Sequence, residues 1–182
     1  MYNFIPKRVF FTKGVGVHKE KLASFEEALR KAGIAHFNLV TVSSILPPHC
    51  KISQKAPCLN DMQPGQIVFT VLARNATDEH RRLVSASIGL AQPKDKNRYG
   101  YLSEHHSFGE TNEVVGDYSE DLAASMLAST LGVEFDAAKA WDEKKEIFKV
   151  SGLIIKTQNT TQTAIGVKGL WTTTIAAAVF VM

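Results

Sequence analysis

Strand-length apolar runs constrain the fold of this chain more than any other feature of the sequence. Only two segments have the spacing of an amphipathic helix, and most links between the runs are short enough for hairpins. The runs occupy residues 5–12, 36–46, 66–74, 83–92, 99–109, 146–157 and 169–181. Two helices with about seven strands predict an α+β fold, in which the helices cover the faces of mostly antiparallel sheets.

The connections between the runs give the first pairing predictions. A polar segment, residues 75–82, separates the runs 66–74 and 83–92, and larger apolar residues alternate with small ones in the second run. We therefore expect these two runs to form an antiparallel hairpin. Residues 57–64 and 158–166 are rich in turn-forming residues, and we expect loops there.

Both predicted helices show an apolar stripe with recognisable ends. The first lies within residues 19–33 and stops at Gly33, which favours the left-handed backbone of a helix C-terminus. Its stripe consists of Leu22, Phe25, Ala28, Leu29 and Ala32. The second lies within residues 116–132, and we expect Asp117 or Ser119 to cap its start. Its apolar face contains Leu122, Met126 and Leu127.

Size, composition and charge indicate one globular domain over residues 1–182. Apolar residues make up 45% of the chain and charged residues 21%, which is typical of soluble domains. The densest basic segment, residues 94–98, is interrupted by Asp95, so we do not expect nucleic acid as a partner. The apolar run at residues 175–182 is well short of the roughly 20 residues that cross a bilayer, so we expect no membrane partner.

The cysteines and histidines do not predict a metal site. Cys50 and Cys58 lack a second pair that would complete a zinc site. His105 and His106 are adjacent on a predicted strand and so face opposite sides of it. No secretory signal is apparent at the N-terminus, and we expect reduced thiols in a cytoplasmic protein.

Two adjacent serines, Ser43 and Ser44, stand in the run 36–46, which Pro47 and Pro48 terminate. The Ser44 hydroxyl could attack the preceding carbonyl carbon and convert the amide into an ester. β-Elimination would then cut the chain and leave a dehydroalanine, which hydrolyses to a pyruvoyl group. This chemistry needs backbone strain and a donor to the developing oxyanion. Without further context, two hydroxyls satisfied by the neighbouring backbone are the better explanation of the pair.

Two longer motifs give that context. Residues 32–48, AGIAHFNLVTVSSILPP, resemble the self-processing segment of pyruvoyl-dependent arginine decarboxylases. Residues 91–109, AQPKDKNRYGYLSEHHSFG, resemble the second signature of that family. The helix SFEEALRKAGI at residues 24–34 also matches in position and character. The resemblance covers most of the chain in order.

This resemblance implies cleavage between Ser43 and Ser44. Residues 1–43 and residues 44–182 would become separate chains, and a covalently bound pyruvoyl group derived from Ser44 would begin the second. The amine of L-arginine would form a Schiff base with this ketone, which accepts the electrons released with carbon dioxide and so leads to agmatine. Pyridoxal phosphate (PLP) would not be required.

The resemblance also implies roles for two residues outside the junction. Glu104 occupies the position of the family's proton donor, and this role requires a pKa above the usual value of about 4.3. We expect burial beside Tyr101, Leu102 and Phe108 to raise it. Asn38 matches the asparagine that assists processing. It lies six residues before Ser44, so both side chains would face the same side of a regular strand. The alternatives are a solvated glutamate and an amide that bonds a neighbouring loop.

For the substrate guanidinium, the resemblance implies an acidic residue on the first helix. Glu26 falls at that position, with Glu27 beside it, and the carboxylate freed at Ser43 could also face the cation. A surface helix residue is the alternative role for Glu26.

For the whole protein, the resemblance implies a four-layer αββα sandwich. It also implies a homo-oligomer, a trimer or a dimer of trimers, with active sites between neighbouring subunits. Two other functions stay open: a pyruvoyl-dependent decarboxylase of another amino acid such as histidine, and a non-catalytic α+β binding or assembly protein.

Overall fold

The computed structural model describes residues 4–132 and 154–182. Within these ranges the strands are β1 (Arg8–His18), β2 (Asn38–Thr41), β3 (Ile45–Leu46), β4 (Lys51–Ile52), β5 (Ile67–Thr77), β6 (Leu83–Pro93), β7 (Gly100–Phe108), β8 (Ile154–Ile165) and β9 (Trp171–Val181). The helices are α1 (Lys21–Ala32), α2 (Lys55–Asn60) and α3 (Asn112–Thr130). The run predicted at residues 146–157 is described from Ile154 onward, and its earlier part lies outside the described residues.

The strands form two sheets. The first sheet has the order β2-β5-β9-β1-β4, and the second has the order β3-β7-β6-β8. Two pairs, β1 with β4 and β2 with β5, are parallel, and the other pairs are antiparallel. The long central strand β9 pairs with β1 from His18 to Arg8 and with β5 from Thr77 to Thr70, so it organises the first sheet.

The two sheets pack face to face around an apolar core. Val71 and Ala178 of the first sheet belong to the same buried cluster as Ile88, Leu90 and Leu102 of the second. These side chains alternate along their strands with residues that face outward, as expected for sheets buried on both faces. The core therefore lies between the sheets.

A helix covers the outer face of each sheet. Ala28 and Ala32 of α1 pack on Phe10 and Ile175 of the first sheet. On the second sheet, α3 packs its small residues, including Ala124, in a third cluster. The layer order is thus helix, sheet, sheet, helix, which confirms the predicted α+β four-layer αββα sandwich.

Both helices approach their sheets closely because glycine faces them. A Cβ atom on Gly16 would overlap the Ser24 carbonyl oxygen of α1. A Cβ atom on Gly89 would overlap the Ser119 carbonyl oxygen of α3 in the same way. The predicted C-terminal stop of α1 is confirmed, since Gly33 has φ 75° and its N–H bonds to the Arg30 carbonyl.

Three predictions about the strands are wrong. The runs 66–74 and 83–92 do not form a hairpin, because β5 belongs to the first sheet and β6 to the second. The run 36–46 is interrupted, and its two ends, β2 and β3, also belong to different sheets. Residues 158–166, expected as a loop, fall mostly within β8, whose alternating threonines suit a pleated strand paired with β6.

The helix boundaries also differ from the prediction. Helix α3 begins four residues before Gly116, and its N-cap is Thr111, whose hydroxyl accepts from the Val114 N–H at 3.4 Å. Asp117 and Ser119 therefore lie inside the helix. Gly116 is tolerated there because the side chain of Asn159 occupies the space where a Cβ atom would lie. The short helix α2 falls partly in the expected loop 57–64.

Candidate active site

The peptide bond between Ser43 and Ser44 lies where the chain passes from the first sheet to the second. On one side, the Val42 N–H donates to the Thr70 carbonyl of β5 at 3.0 Å. On the other, the Leu102 N–H of β7 donates to the Ser44 carbonyl at 2.7 Å. Two different sheets thus hold the backbone within two residues of each other. The junction is fixed in space by tertiary structure rather than by a regular strand.

A tight turn centred on Ser44 supplies a donor to the carbonyl that would be attacked. The Ile45 N–H donates to the Ser43 carbonyl oxygen at 3.1 Å, which closes a three-residue turn. An N–H in this position can stabilise negative charge on that oxygen. Neither serine has a positive φ, and among the described non-glycine residues His49 and Arg81 do. Hydrogen bonds, and not left-handed backbone, constrain the junction.

The two prolines form the turn that the sequence predicts. The Cys50 N–H donates to the Pro47 carbonyl at 3.2 Å, and His49 has φ 62°. Proline in the second position and a positive φ in the third are the features of a type II turn. The turn directs the chain from β3 of the second sheet to β4 of the first.

Strand β7 brings Glu104 next to the junction. Ile45 pairs with Tyr101, and extending this antiparallel register by one residue places Ser44 opposite Leu102, in agreement with their hydrogen bond. Glu104 lies two residues further along the strand and shares its face with Leu102, which points into the core between the sheets. Such diagonal neighbours are separated by roughly 7–8 Å. The fold therefore brings together two residues that are 60 positions apart in the sequence.

The environment of Glu104 favours its neutral form. Loss of solvation raises the pKa of this carboxyl group, and the nearby imidazole of His106 opposes the shift by favouring the charged form. Glu104 is exposed at the surface of the single chain, yet the protein around it suffices to shift its pKa upward. Of the expected neighbours, Leu102 shares its face, whereas Tyr101 lies on the opposite face with α3.

In the single chain, Asn38 lies away from the junction. Its side-chain amide donates to the Gly65 carbonyl at 2.7 Å, which is the loop contact considered as an alternative role. Asn38 and Ser44 do not share the face of one regular strand, because β2 ends at Thr41 and the chain then leaves the first sheet. Along β2 alone, Asn38 and Thr41 are separated by roughly 10 Å.

Glu26 and Glu27 both have partners within the chain. The Glu26 carboxylate pairs with the Arg30 guanidinium at 2.7 Å, one turn further along α1. The Glu27 carboxylate accepts the Val17 N–H at 3.1 Å. Helix α1 packs on the outer face of the first sheet, whereas Ser44 is bonded to the second sheet. One chain therefore does not bring either glutamate to Ser44.

An apolar cavity of ≈ 310 Å³ adjoins the junction. Its walls come from the N-terminal segment, the junction and two strands of the first sheet. They consist of Phe4, Pro6, Val42, Ser43, Ile45, Pro47, Phe69 and Phe180. Phe69 and Phe180 are far from the serines in the sequence, so no local pattern indicates them. The same holds for the Leu102 N–H, because its role depends on a pairing between distant segments.

The histidines of β7 face different surroundings. His105 lies against the ring of Tyr118, with ring centroids 4.3 Å apart, and 3.8 Å from the Glu110 carboxylate. His106 faces the other side with Glu104. Within residues 4–132 and 154–182, no three His, Cys, Asp or Glu side chains cluster as metal ligands would. None of the helices in these ranges is both long and apolar enough to cross a membrane.

Comparisons with known proteins identify the family of this chain. The family model for pyruvoyl-dependent arginine decarboxylase matches residues 8–182. A protein of Chloroherpeton thalassium named probable pyruvoyl-dependent arginine decarboxylase is 59% identical over 177 residues, which cover 97% of each chain. The pyruvoyl-dependent arginine decarboxylase of Nitrosopumilus maritimus is 54% identical over the full length of both chains. The chain therefore belongs to the pyruvoyl-dependent arginine decarboxylase family.

Proposed function

We propose that this protein cuts itself between Ser43 and Ser44 and then converts L-arginine to agmatine and carbon dioxide. The family supports the substrate and the use of a covalent pyruvoyl group. The observation that most supports the site is the placement of Ser44 opposite Leu102, with Glu104 as its diagonal neighbour. PLP is not part of the proposal, because the group made from Ser44 takes its place.

Self-cleavage begins at the Ser43 carbonyl carbon. The Ser44 hydroxyl oxygen attacks this carbon, the C–N bond to Ser44 breaks, and the amine takes the hydroxyl proton, which leaves an ester. During the attack, the Ile45 N–H donates to the oxygen on which negative charge develops. Loss of the Ser44 α-proton then expels the Ser43 carboxylate. The resulting dehydroalanine tautomerises to an imine, and water releases ammonia from it to leave a ketone.

The residues around Ser44 fit a pyruvoyl group. The Leu102 N–H that holds the Ser44 carbonyl would keep the new ketone in place next to Glu104 after cleavage. When present, the pyruvoyl group supplies the electron sink that decarboxylation requires. We assign to Glu104, whose pKa is raised by loss of solvation, the donation of a proton to the α-carbon of the substrate.

The apolar cavity beside the junction offers the reaction a poorly solvating wall. Its walls are almost entirely aliphatic and aromatic, so a carboxylate near them loses solvation. Loss of carbon dioxide removes that charge, and a poorly solvated carboxylate gains most from the change. The cavity thus provides an environment that favours decarboxylation over simple binding.

Recognition of the guanidinium by a glutamate of α1 would need more than one copy of the chain, whereas the carboxylate freed at Ser43 could face the cation within one copy. Because α1 and Ser44 lie on different sides of the first sheet, we assign Glu26 of a neighbouring copy to the substrate cation. The same reasoning applies to Asn38 in processing, since its amide bonds Gly65 within its own chain. We therefore propose a trimer or a dimer of trimers of cleaved chains. A cytoplasmic location belongs to this proposal and agrees with two buried free cysteines.

The decisive functional experiment measures carbon dioxide release from arginine, histidine, ornithine and lysine by the purified protein. We expect arginine to be the preferred substrate and agmatine to be the product. The matched control is Ser44→Ala, which retains the fold but has no hydroxyl to start the processing reaction, so it should be inactive. A higher rate with histidine would favour the other decarboxylase. Absence of turnover with all four amino acids would favour a non-catalytic binding protein.

A further inference from the structure

A second cavity, separate from the apolar one, is lined in part by the chain segment that comes after the junction. Its volume is ≈ 300 Å³. Three segments that are distant in sequence form its walls: the chain after the junction, β4, and the β6–β7 turn. The lining residues with positive or ionisable side chains are His49, Lys51, Lys96 and Arg98. We call this space the basic cavity.

The positive charge of the basic cavity is poorly compensated. No aspartate or glutamate is among the described residues that line it. Arg98 has one acidic neighbour, since its Nε lies 3.8 Å from the Asp95 carboxylate, which is at the outer limit of an ion pair. Lys51 and Lys96 form no ion pair with any residue of the described ranges. Charges of one sign in a concave surface raise the local concentration of the opposite ion.

The walls of the basic cavity have a defined geometry. His49 holds φ 62° as the third residue of the type II turn, so the turn sets its position. Lys51 is fixed by β4, where its backbone N–H donates to the Lys7 carbonyl at 2.9 Å. Leu46 and Gly100, which pair across β3 and β7, form the floor between the two basic sides. Neighbouring Lys7 lines an adjoining cavity with Lys51 and extends the positive field, whereas Arg8 of that cavity is paired with the Asp61 carboxylate at 2.7 Å.

The arginine decarboxylation reaction does not account for this cavity. The substrate and the product both carry a guanidinium, which the three cations Lys51, Lys96 and Arg98 would repel. The basic segment 94–98 is therefore not explained by the proposed activity. Its cations instead match the ligand chemistry of an oxyanion, because a guanidinium and two ammonium groups can each donate hydrogen bonds to phosphate oxygens.

We propose that the basic cavity binds a small phosphate-bearing anion. The cavity has the volume of roughly ten water molecules, which suits an anion the size of pyrophosphate. Nucleic acid fits less well, because no aromatic side chain among the described residues lines the cavity for base stacking. This inference does not depend on the proposed enzymatic activity, and binding is measured without arginine.

The test is isothermal titration of the full-length protein with pyrophosphate. We expect Lys96→Gln and Arg98→Gln each to weaken binding about tenfold, which is the effect of removing one charge-assisted hydrogen bond. Lys94→Gln is the matched control, because Lys94 belongs to the same exposed turn but does not line this cavity. The control should bind pyrophosphate as the unchanged protein does. All three side chains are exposed, and melting curves verify that each variant is folded.

Several outcomes would overturn the proposal. These are no binding at millimolar pyrophosphate, affinity that Lys96→Gln and Arg98→Gln leave unchanged, and an equal loss in Lys94→Gln. The last result would indicate a diffuse basic surface. A fluorescent single-stranded oligonucleotide serves as the second probe. Binding of the oligonucleotide that pyrophosphate cannot displace would assign the surface to nucleic acid and contradict the small-anion site.

Discussion

Replacing the Ile45 amide with an ester removes the hydrogen bond that we assign to self-cleavage and also weakens the Ser44 carbonyl as acceptor of the Leu102 N–H. The substitution exchanges one N–H for an oxygen and leaves every side chain in place. It removes the donor that lies 3.1 Å from the Ser43 carbonyl oxygen, where negative charge develops. Loss of a single oxyanion donor typically slows a reaction by about 10²–10³-fold, or about 2.7–4 kcal/mol of barrier. We expect cleavage to slow by about 100-fold.

An ester at Val42 is the matched control. It removes the N–H that bonds the Thr70 carbonyl at 3.0 Å, three residues earlier in the chain. This bond holds the junction to the first sheet but does not reach the Ser43 carbonyl. Its loss should cost about 1 kcal/mol of stability and change the cleavage rate only a few-fold.

The assay starts from uncleaved chains that are assembled by semisynthesis under denaturing conditions. Each chain is refolded, and the fraction cut between Ser43 and Ser44 is followed over time by mass spectrometry. Circular dichroism establishes that all chains refold. If the Ile45 ester is cut as fast as the Val42 ester, the Ile45 N–H has no part in the reaction and our account of the junction is wrong.

Other predictions concern the assembled enzyme. Glu104→Gln should still self-cleave but release carbon dioxide slowly, whereas near-normal turnover would remove Glu104 from the mechanism. His106→Gln removes the imidazole that lowers the pKa of Glu104, so this pKa should rise further. Because Glu104 acts in its protonated form, the alkaline limb of the kcat/KM profile should then move to higher pH. An alkaline limb at the same pH or at a lower pH would contradict this assignment. Glu26→Gln should raise the KM for arginine about tenfold through loss of a charge-assisted contact, while Glu27→Gln should not. Equal effects on KM would show that neither glutamate is specific for the guanidinium.

Local pattern was sufficient to predict the elements that are regular over their whole length. Helix α1 ends at Gly33 as expected, since the apolar stripe and the C-terminal glycine act within one segment. Strands β7 and β9 lie where the runs 99–109 and 169–181 predict them, because each is long and flanked by glycine. These elements predict the α+β class, whereas the four-layer order was implied by the resemblance to the family.

Pairing between sheets could not be predicted in this way. The alternation in β6 indicates a buried strand but carries no information about which strand lies beside it. Residues 78–82 change sheets instead of closing a hairpin, and the same change occurs between β2 and β3. An apolar run through Val42 to Leu46 therefore resembled one strand although it spans two sheets. Ser43 and Ser44 lie where the chain passes from the first sheet to the second.

The sequence indicated only part of the candidate site, because the backbone donors of the site depend on pairing between distant segments. The motif resemblance identified Ser44 and Glu104, and the register of β3 with β7 brings them together. It could not indicate the Ile45 N–H or the Leu102 N–H, because backbone donors have no sequence signature. The proposed roles of Asn38 and Glu26 depend on contacts with a neighbouring copy, so they stay predictions.

Intact-mass measurement of the purified protein tests the central claim most directly. We predict two species, one of residues 1–43 and one of residues 44–182 whose first residue carries a ketone in place of an amine. The Ser44→Ala variant should give one uncut chain. A single full-length species of the unchanged protein after prolonged incubation would contradict the account. This holds for any amino acid on which the protein acts.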